Sequence, residues 1–225
     1  MSGQSILIVA AHPDDEVLGC GATAARHVAD GDTVHVLIMA EGATSRDADD
    51  IDGVEALRQS AVAAAVALGT QPPRFAGLAD NRMDSHDMLD IVKEVESAAA
   101  DVTPTIVYTH HGGDLNVDHR LTHQAVLTAC RPQPEEIVRA IYTFETPSST
   151  EWSATDMEEA FLPQRFIDVS DHMAAKIAAL ECYGSEMRDF PHARSIKAVE
   201  ALATLRGSQS GLVAAEAFRV IREVI

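Results

Sequence analysis

Short apolar runs alternate with alanine-rich amphipathic stretches along the first two thirds of the chain. Ile6–Ala11 (ILIVAA) and Val34–Ala40 (VHVLIMA) are almost unbroken in apolar residues, as expected of strands buried on both faces of a parallel sheet. Thr105–Thr109 and Ile137–Phe144 repeat the pattern, and Phe75–Ala79 predicts a shorter strand. Between them Val17–Ala29, Val54–Leu68, Met88–Ala100 and Leu121–Cys130 read as helices, with Gly31-Asp32 ending the first and Gly69 capping the second. This order predicts an α/β fold: a Rossmann-like, doubly wound, mostly parallel sheet with helices on both faces and right-handed crossovers. The last third is less regular. Thr146–Gln164 reads as a long loop, Arg165–Val169 as a strand, and His172–Cys182 and Ile196–Leu205 as helices. No linker divides residues 1–225, so one domain is expected.

Composition removes several classes of function. With 46% hydrophobic and 23% charged residues the chain is not a disordered one. Its 225 residues can bury a core without disulfides or a structural metal. Seventeen basic against 35 acidic residues give a net charge of −18, which argues against nucleic acid as a partner, because phosphate contact needs clustered Lys and Arg. The apolar runs are far too short to span a bilayer, and no basic segment precedes the first strand as a secretory signal would require. Cys20, Cys130 and Cys182 lack metal spacing and leave an odd thiol, so a reducing cytoplasm is the expected location. Asp47–Asp52 reads as a solvated acidic loop.

The chemistry concentrates where the first strand hands over to its helix, at His12-Pro13-Asp14-Asp15-Glu16. Ligands of open α/β sheets bind in the crevice outside the carboxyl ends of the strands. A plainer reading exists: Pro13 suits a first helical position and acids suit a first turn. It does not explain a histidine placed one proline ahead of two acids there. His12 and Asp15, three apart across a strand-to-helix turn, can converge on one metal, leaving Asp14 to act on a water. A catalytic zinc site needs a third protein ligand. His110-His111-Gly112-Gly113-Asp114-Leu115-Asn116-Val117-Asp118-His119-Arg120 follows the fourth strand, and His119 is assigned to the metal. His123, one helical turn on, reads as a packed or supporting histidine, and Asp118 as a helix cap or a residue orienting an imidazole. Gly19-Cys20-Gly21-Ala22-Thr23-Ala24 has the spacing of a dinucleotide fingerprint but lies inside the predicted helix behind three acids. It reads as small residues that let the helix approach the sheet.

Ala11-His12-Pro13-Asp14-Asp15-Glu16 together with Asn116-Val117-Asp118-His119-Arg120 resembles the PIG-L/LmbE-like family of zinc-dependent N-deacetylases. The resemblance extends to Pro147–Trp152 and Gly184–His192. It implies removal of acetate from an N-acetylated amino sugar or its conjugate, with His12, Asp15 and His119 as zinc ligands and Asp14 as general base. Iron or cobalt would suit the same donors. Arg58 and Asp80 resemble residues that hold substrate hydroxyl or phosphate groups; Arg46 and Arg82 are further candidates, although each arginine also reads as a surface ion-pair partner. With Arg194, these arginines could serve an anionic substrate. Several members carry a histidine that stabilises the oxyanion where this chain has Asn116. His192 is the candidate replacement, from this chain or a neighbouring subunit, with His110 and His111 as rivals. Some relatives form trimers or hexamers, so a homo-oligomer is compatible. Readings kept open are an amidase for another sugar-linked amide, a glycosidase, for which adjacent Asp14 and Asp15 suit the chemistry less well than they suit a metal, and a non-catalytic, metal-dependent sugar-binding module.

Overall fold

The computed structural model describes residues 3–43, 51–154 and 159–225. Five strands, β1 (Ser5–Ala10), β2 (Thr33–Ala40), β3 (Arg74–Leu78), β4 (Ile106–His110) and β5 (Ala140–Phe144), run parallel to one another. Two more, β6 (Arg165–Asp168) and β7 (Ala215–Glu223), complete a sheet of order β3-β2-β1-β4-β5-β7-β6, with β7 antiparallel to both of its neighbours. The helices are α1 (Asp15–Ala29), α2 (Ile51–Leu68), α3 (Met88–Val102), α4 (Val117–Ala129), α5 (Met173–Cys182) and α6 (Ile196–Ser208). Side chains alternate across β1 with the two-residue period of a strand. Ile6 and Ile8 pack in a core with α1, α2 and α5, while Leu7 and Val9 pack in a second core with α3 and α4. Helices therefore cover both faces, as expected. Among the described residues no helix is long and apolar enough to cross a membrane.

Boundaries depart from the sequence reading at places that matter. α1 begins at Asp15 rather than Val17, and α4 at Val117 rather than Leu121. Asn116 is the reason for the second shift, since its side chain accepts the backbone N–H of Asp118 at 2.8 Å and caps the helix. β7 lies where the sequence pattern predicts no strand. Of the acidic loop expected at Asp47–Asp52, residues 47–50 lie outside the described residues, while Ile51 and Asp52 open α2.

The small residues of α1 serve packing. A Cβ on Gly19 would lie 2.2 Å from Cδ2 of Phe144 on β5, so only glycine lets the helix lie this close to the sheet. The helix is interrupted at Cys20 (φ −149°, ψ 26°). A buried ion pair satisfies the backbone groups around the break. Lys176 of α5 donates to the carbonyl of Leu18 at 2.8 Å and to Glu216 of β7 at 2.6 Å. Glu216 in turn accepts the N–H groups of Ala22 and Thr23 at 3.2 and 2.6 Å. A charge pair this deep is tolerated because its polar atoms are used.

The strand order fixes where a ligand can sit. From the adjacent strands β1 and β4 the chain departs in opposite directions, to β2 and to β5, and the crevice between their carboxyl ends is the switch point of the sheet. The residues after β1 and after β4 meet there.

Candidate active site

The turn after β1 brings His12 and Asp15 together. Asp14 adopts φ 105°, a left-handed conformation that costs about 1–3 kcal/mol for a residue with a side chain. Its N–H donates to the Glu16 carboxylate at 3.1 Å, and Tyr183 of α5 donates its hydroxyl to the other Glu16 oxygen at 2.6 Å. Burial pushes Glu16 up to about 7 against those hydrogen bonds. From the β4 side, α4 presents His119, whose ring stacks on His110 with centroids 3.9 Å apart.

Two sets of three side chains converge here among the described residues: His12, Asp15 and His119, and His12, Asp80 and Asp118. The second set is already engaged. Asp118 accepts backbone N–H groups from Asn81 at 2.7 Å and Met83 at 3.1 Å, and Asp80 accepts the Asn81 amide at 2.8 Å. Both carboxylates lie 3.2 Å from Nε2 of His12. They are thus outer partners that orient an imidazole, the second of the two roles expected of Asp118.

The first set is different. Nδ1 of His12 and Nε2 of His119 each lie 3.1 Å from Oδ2 of Asp15. With Nε2–H of His12 donated to Asp118 and Asp80, and Nδ1–H of His119 to Asp114 at 3.0 Å, each ring turns a lone pair toward the Asp15 carboxylate. Lone pairs facing a carboxylate repel unless positive charge lies between them. Nε2 of His119 and Oδ1 of Asp15 are also buried without a hydrogen-bond partner. The same negative surroundings favour a proton on each ring, which a metal ion must displace. Burial alone would lower His119, but Asp15 and Asp114 raise it to about 9, and His12 likewise rises despite its burial. Burial would raise Asp15, yet the surrounding His119, His110 and His12 hold it well below the carboxylate range. Two imidazole nitrogens and a carboxylate fit a divalent cation of the zinc type.

A small cavity of about 100 Å3 opens beside this cluster, lined by His12, Asp14, Asp80, Asn116, Glu186 and Arg194 among others. Asp14 does not face the inward donors; its Oδ2 is 2.7 Å from Nη1 of Arg194. Burial pushes the Asp14 carboxyl up and the Arg194 charge opposes the shift.

The remaining candidates are placed unequally. Asp80 and Asn116 reach the cavity. The Asn116 amide is occupied on both sides, by the helix cap and by a 2.9 Å hydrogen bond from Nδ2 to Asn81. Arg58 pairs with Glu41 at 3.2 Å and lies over the ring of Phe75, and Arg82 is exposed; neither is among the cavity residues. Arg46 lies outside the described residues. His192 packs edge-on against Trp152 and its Nδ1 accepts the N–H of Arg194, so Arg194, not His192, is the residue of that segment in the cavity. Of the rival histidines, His110 accepts the N–H of Ala11 at 2.9 Å and faces Thr146 at 3.2 Å, while His111 donates to the Glu159 carbonyl at 2.6 Å. His123 is a packed residue, donating to the carbonyl of His110 at 2.9 Å.

Residues 7–130 match the family described as PIG-L: GlcNAc-PI de-N-acetylase. The chain is a member of the PIG-L family. Its similarity to an uncharacterized deacetylase of Escherichia coli, YaiS, is 31% identity over 187 residues, covering 81% of this chain and 91% of that protein. It is 28% identical over 243 residues to the 1D-myo-inositol 2-acetamido-2-deoxy-alpha-D-glucopyranoside deacetylase of Mycolicibacterium vanbaalenii, covering 87% of this chain and 85% of the relative. The fold is shared more widely. The crystal structure of GalB, a 4-carboxy-2-hydroxymuconate hydratase from Pseudomonas putida, superimposes with a TM-score of 0.79 at 23% identity, covering 99% of this chain and 98% of that one. The fold alone therefore does not fix the reaction, which depends on the residues of the site.

Proposed function

We propose that this chain is a metal-dependent N-deacetylase that hydrolyses the acetamido group of an N-acetylated amino sugar or its conjugate, releasing acetate and a free amine. The observation that carries the reading is the pair of imidazole lone pairs turned onto Asp15, with Asp14 at the cavity wall beside them. Relatives named as deacetylases, one of them for an acetamido-glucopyranoside, support the reaction class.

His12, Asp15 and His119 would hold the ion, zinc by preference, with iron and cobalt accepted by the same donors. When bound, such an ion supplies Lewis acidity toward a carbonyl oxygen and makes water acidic enough to lose a proton near neutral pH. Asp14 accepts that proton as the C–O bond forms, and returns it to the nitrogen as the C–N bond breaks. Arg194 holds the Asp14 carboxylate in place and favours its ionised form against burial. Asp114, Asp118 and Asp80 keep the two imidazoles in the tautomers that ligate. Donation to the developing oxyanion falls to the Asn116 amide, and substrate hydroxyls fall to Asp80, since both line the cavity.

The test is free-amine release from a panel of N-acetylated amino sugars, bare and nucleotide- or lipid-linked, with matched chelator controls. Chelator-sensitive release from one class is the expected result. Silence across the panel from metal-loaded protein would contradict the reading and favour a different amide.

A further inference from the structure

We infer that Tyr183 and Glu16 are positioning residues for the base: together they hold the Asp14 turn in its left-handed conformation and so set the carboxylate where it meets water; this rests on the deacetylase reading of the cavity, in which Asp14 is the base. Adjacent carboxylates on one turn have to be sent in different directions, Asp15 to the two imidazoles and Asp14 to Arg194 at the cavity. Asp14 achieves this with φ 105° and ψ −29°, a conformation that a residue with a side chain leaves unless it is held. It is held at both ends of its own backbone. Its carbonyl accepts the N–H groups of Val17 at 3.1 Å and Leu18 at 2.8 Å, as at the start of any helix. Its N–H donates to one Glu16 oxygen at 3.1 Å, and the other Glu16 oxygen accepts the Tyr183 hydroxyl at 2.6 Å, from 167 residues away.

A glutamate that reaches back to the N–H preceding a helix is an ordinary capping device, and it works at an exposed first turn. Glu16 is instead 4% exposed, and Tyr183, at the C-terminal cap of α5, is fully buried. Polar groups in a core cost stability unless each is satisfied, and apolar residues of the same size would pack α1 against α5 without that cost. What apolar residues could not supply is an acceptor for the Asp14 N–H that is fixed in direction. Tyr183 also ties the turn to another part of the cavity wall. Its carbonyl accepts the N–H groups of Glu186 at 2.9 Å and Met187 at 3.1 Å, and so shapes the turn that brings Glu186 to the cavity, 3.9 Å from Arg194. The backbone of the base and the residues around its carboxylate thus share one anchor. A reacting group misplaced by about 1 Å costs about 10²-fold in rate, so the anchor is expected to act on kcat.

Tyr183→Phe removes one oxygen and keeps the packing. In the zinc-loaded full chain, with the N-acetylated amino sugar that the parent hydrolyses fastest, it is expected to lower kcat about tenfold while KM and zinc content stay those of the parent. Glu16→Leu should lose about 10²-fold, and Glu16→Gln, whose side-chain carbonyl still accepts from Asp14, should recover most of that loss. The loss in Tyr183→Phe should disappear in an Asp14→Asn background, because residues that act through one another are not additive. A second readout needs no substrate. In the isotope-labelled, zinc-loaded chain the amide proton of Asp14 should shift upfield in Tyr183→Phe, and further in Glu16→Leu, as its hydrogen bond weakens. Parent kcat in Tyr183→Phe, a loss that persists undiminished in the Asp14→Asn background, or an Asp14 amide signal that neither substitution moves would overturn the clamp. Absence of hydrolysis with every compound counts against the deacetylase reading instead, and the amide signal still decides the clamp.

Discussion

Asp14→Asn is expected to lower kcat by about 10²–10⁴ while metal content stays that of the parent protein. Three features make this substitution a clean one. Asp14 is not among the donors facing the metal position, since its Oδ2 lies on Arg194 at 2.7 Å. Asparagine keeps the shape of the side chain and accepts the Arg194 hydrogen bond. It also tolerates positive φ better than most residues, so the turn at φ 105° survives; alanine there would add backbone strain to the loss of a base. What asparagine cannot do is take a proton from water. Steady-state rates with metal analysis of the same preparation decide the matter, and full turnover with normal metal content would remove Asp14 from the mechanism.

Loss of a ligand has a different signature. His119→Ala should abolish both activity and tight metal binding, because it deletes one of the two inward lone pairs and leaves Asp15 facing His12 alone. Asp114→Asn removes only the carboxylate behind His119, and loss of an outer partner typically costs about 10–100-fold in metal affinity. His119→Ala should therefore fall further than Asp114→Asn in competition with a chromophoric chelator. Equal metal affinity in His119→Ala and the parent would place the ion elsewhere.

Much of this site is legible in the residues because its parts are local. His12, Asp14 and Asp15 sit on one turn, and the turn sits at the end of an unmistakably buried strand. His119 is separable from His123 because only the first of a helical pair is close to the sheet edge. Arg194 is harder to read. It lies 180 residues from Asp14 in an irregular segment, and no periodicity announces its contact with the base. By residue type His192 looks like chemistry and Arg194 like surface, yet it is the arginine that reaches Asp14. Asn116 is the opposite case: its cap is readable from residue type alone, and it starts α4 four residues before the apolar periodicity does. The strand β7 is missed for a physical reason. Ala-Glu-Ala-Phe-Arg-Val-Ile-Arg-Glu is rich in helix formers, and pairing with β5 and β6 overrides that preference. Glu216 compounds the difficulty, because a buried acid on a strand is expected only once the break in α1 and Lys176 are known.

The most direct measurement is the return of metal to chelator-stripped protein, following heat of binding and free-amine release in the same titration. The account predicts that release is absent at the start, rises in proportion to zinc bound, and levels off when the His12, Asp15 and His119 site is full. Release that persists undiminished in the stripped protein would contradict it.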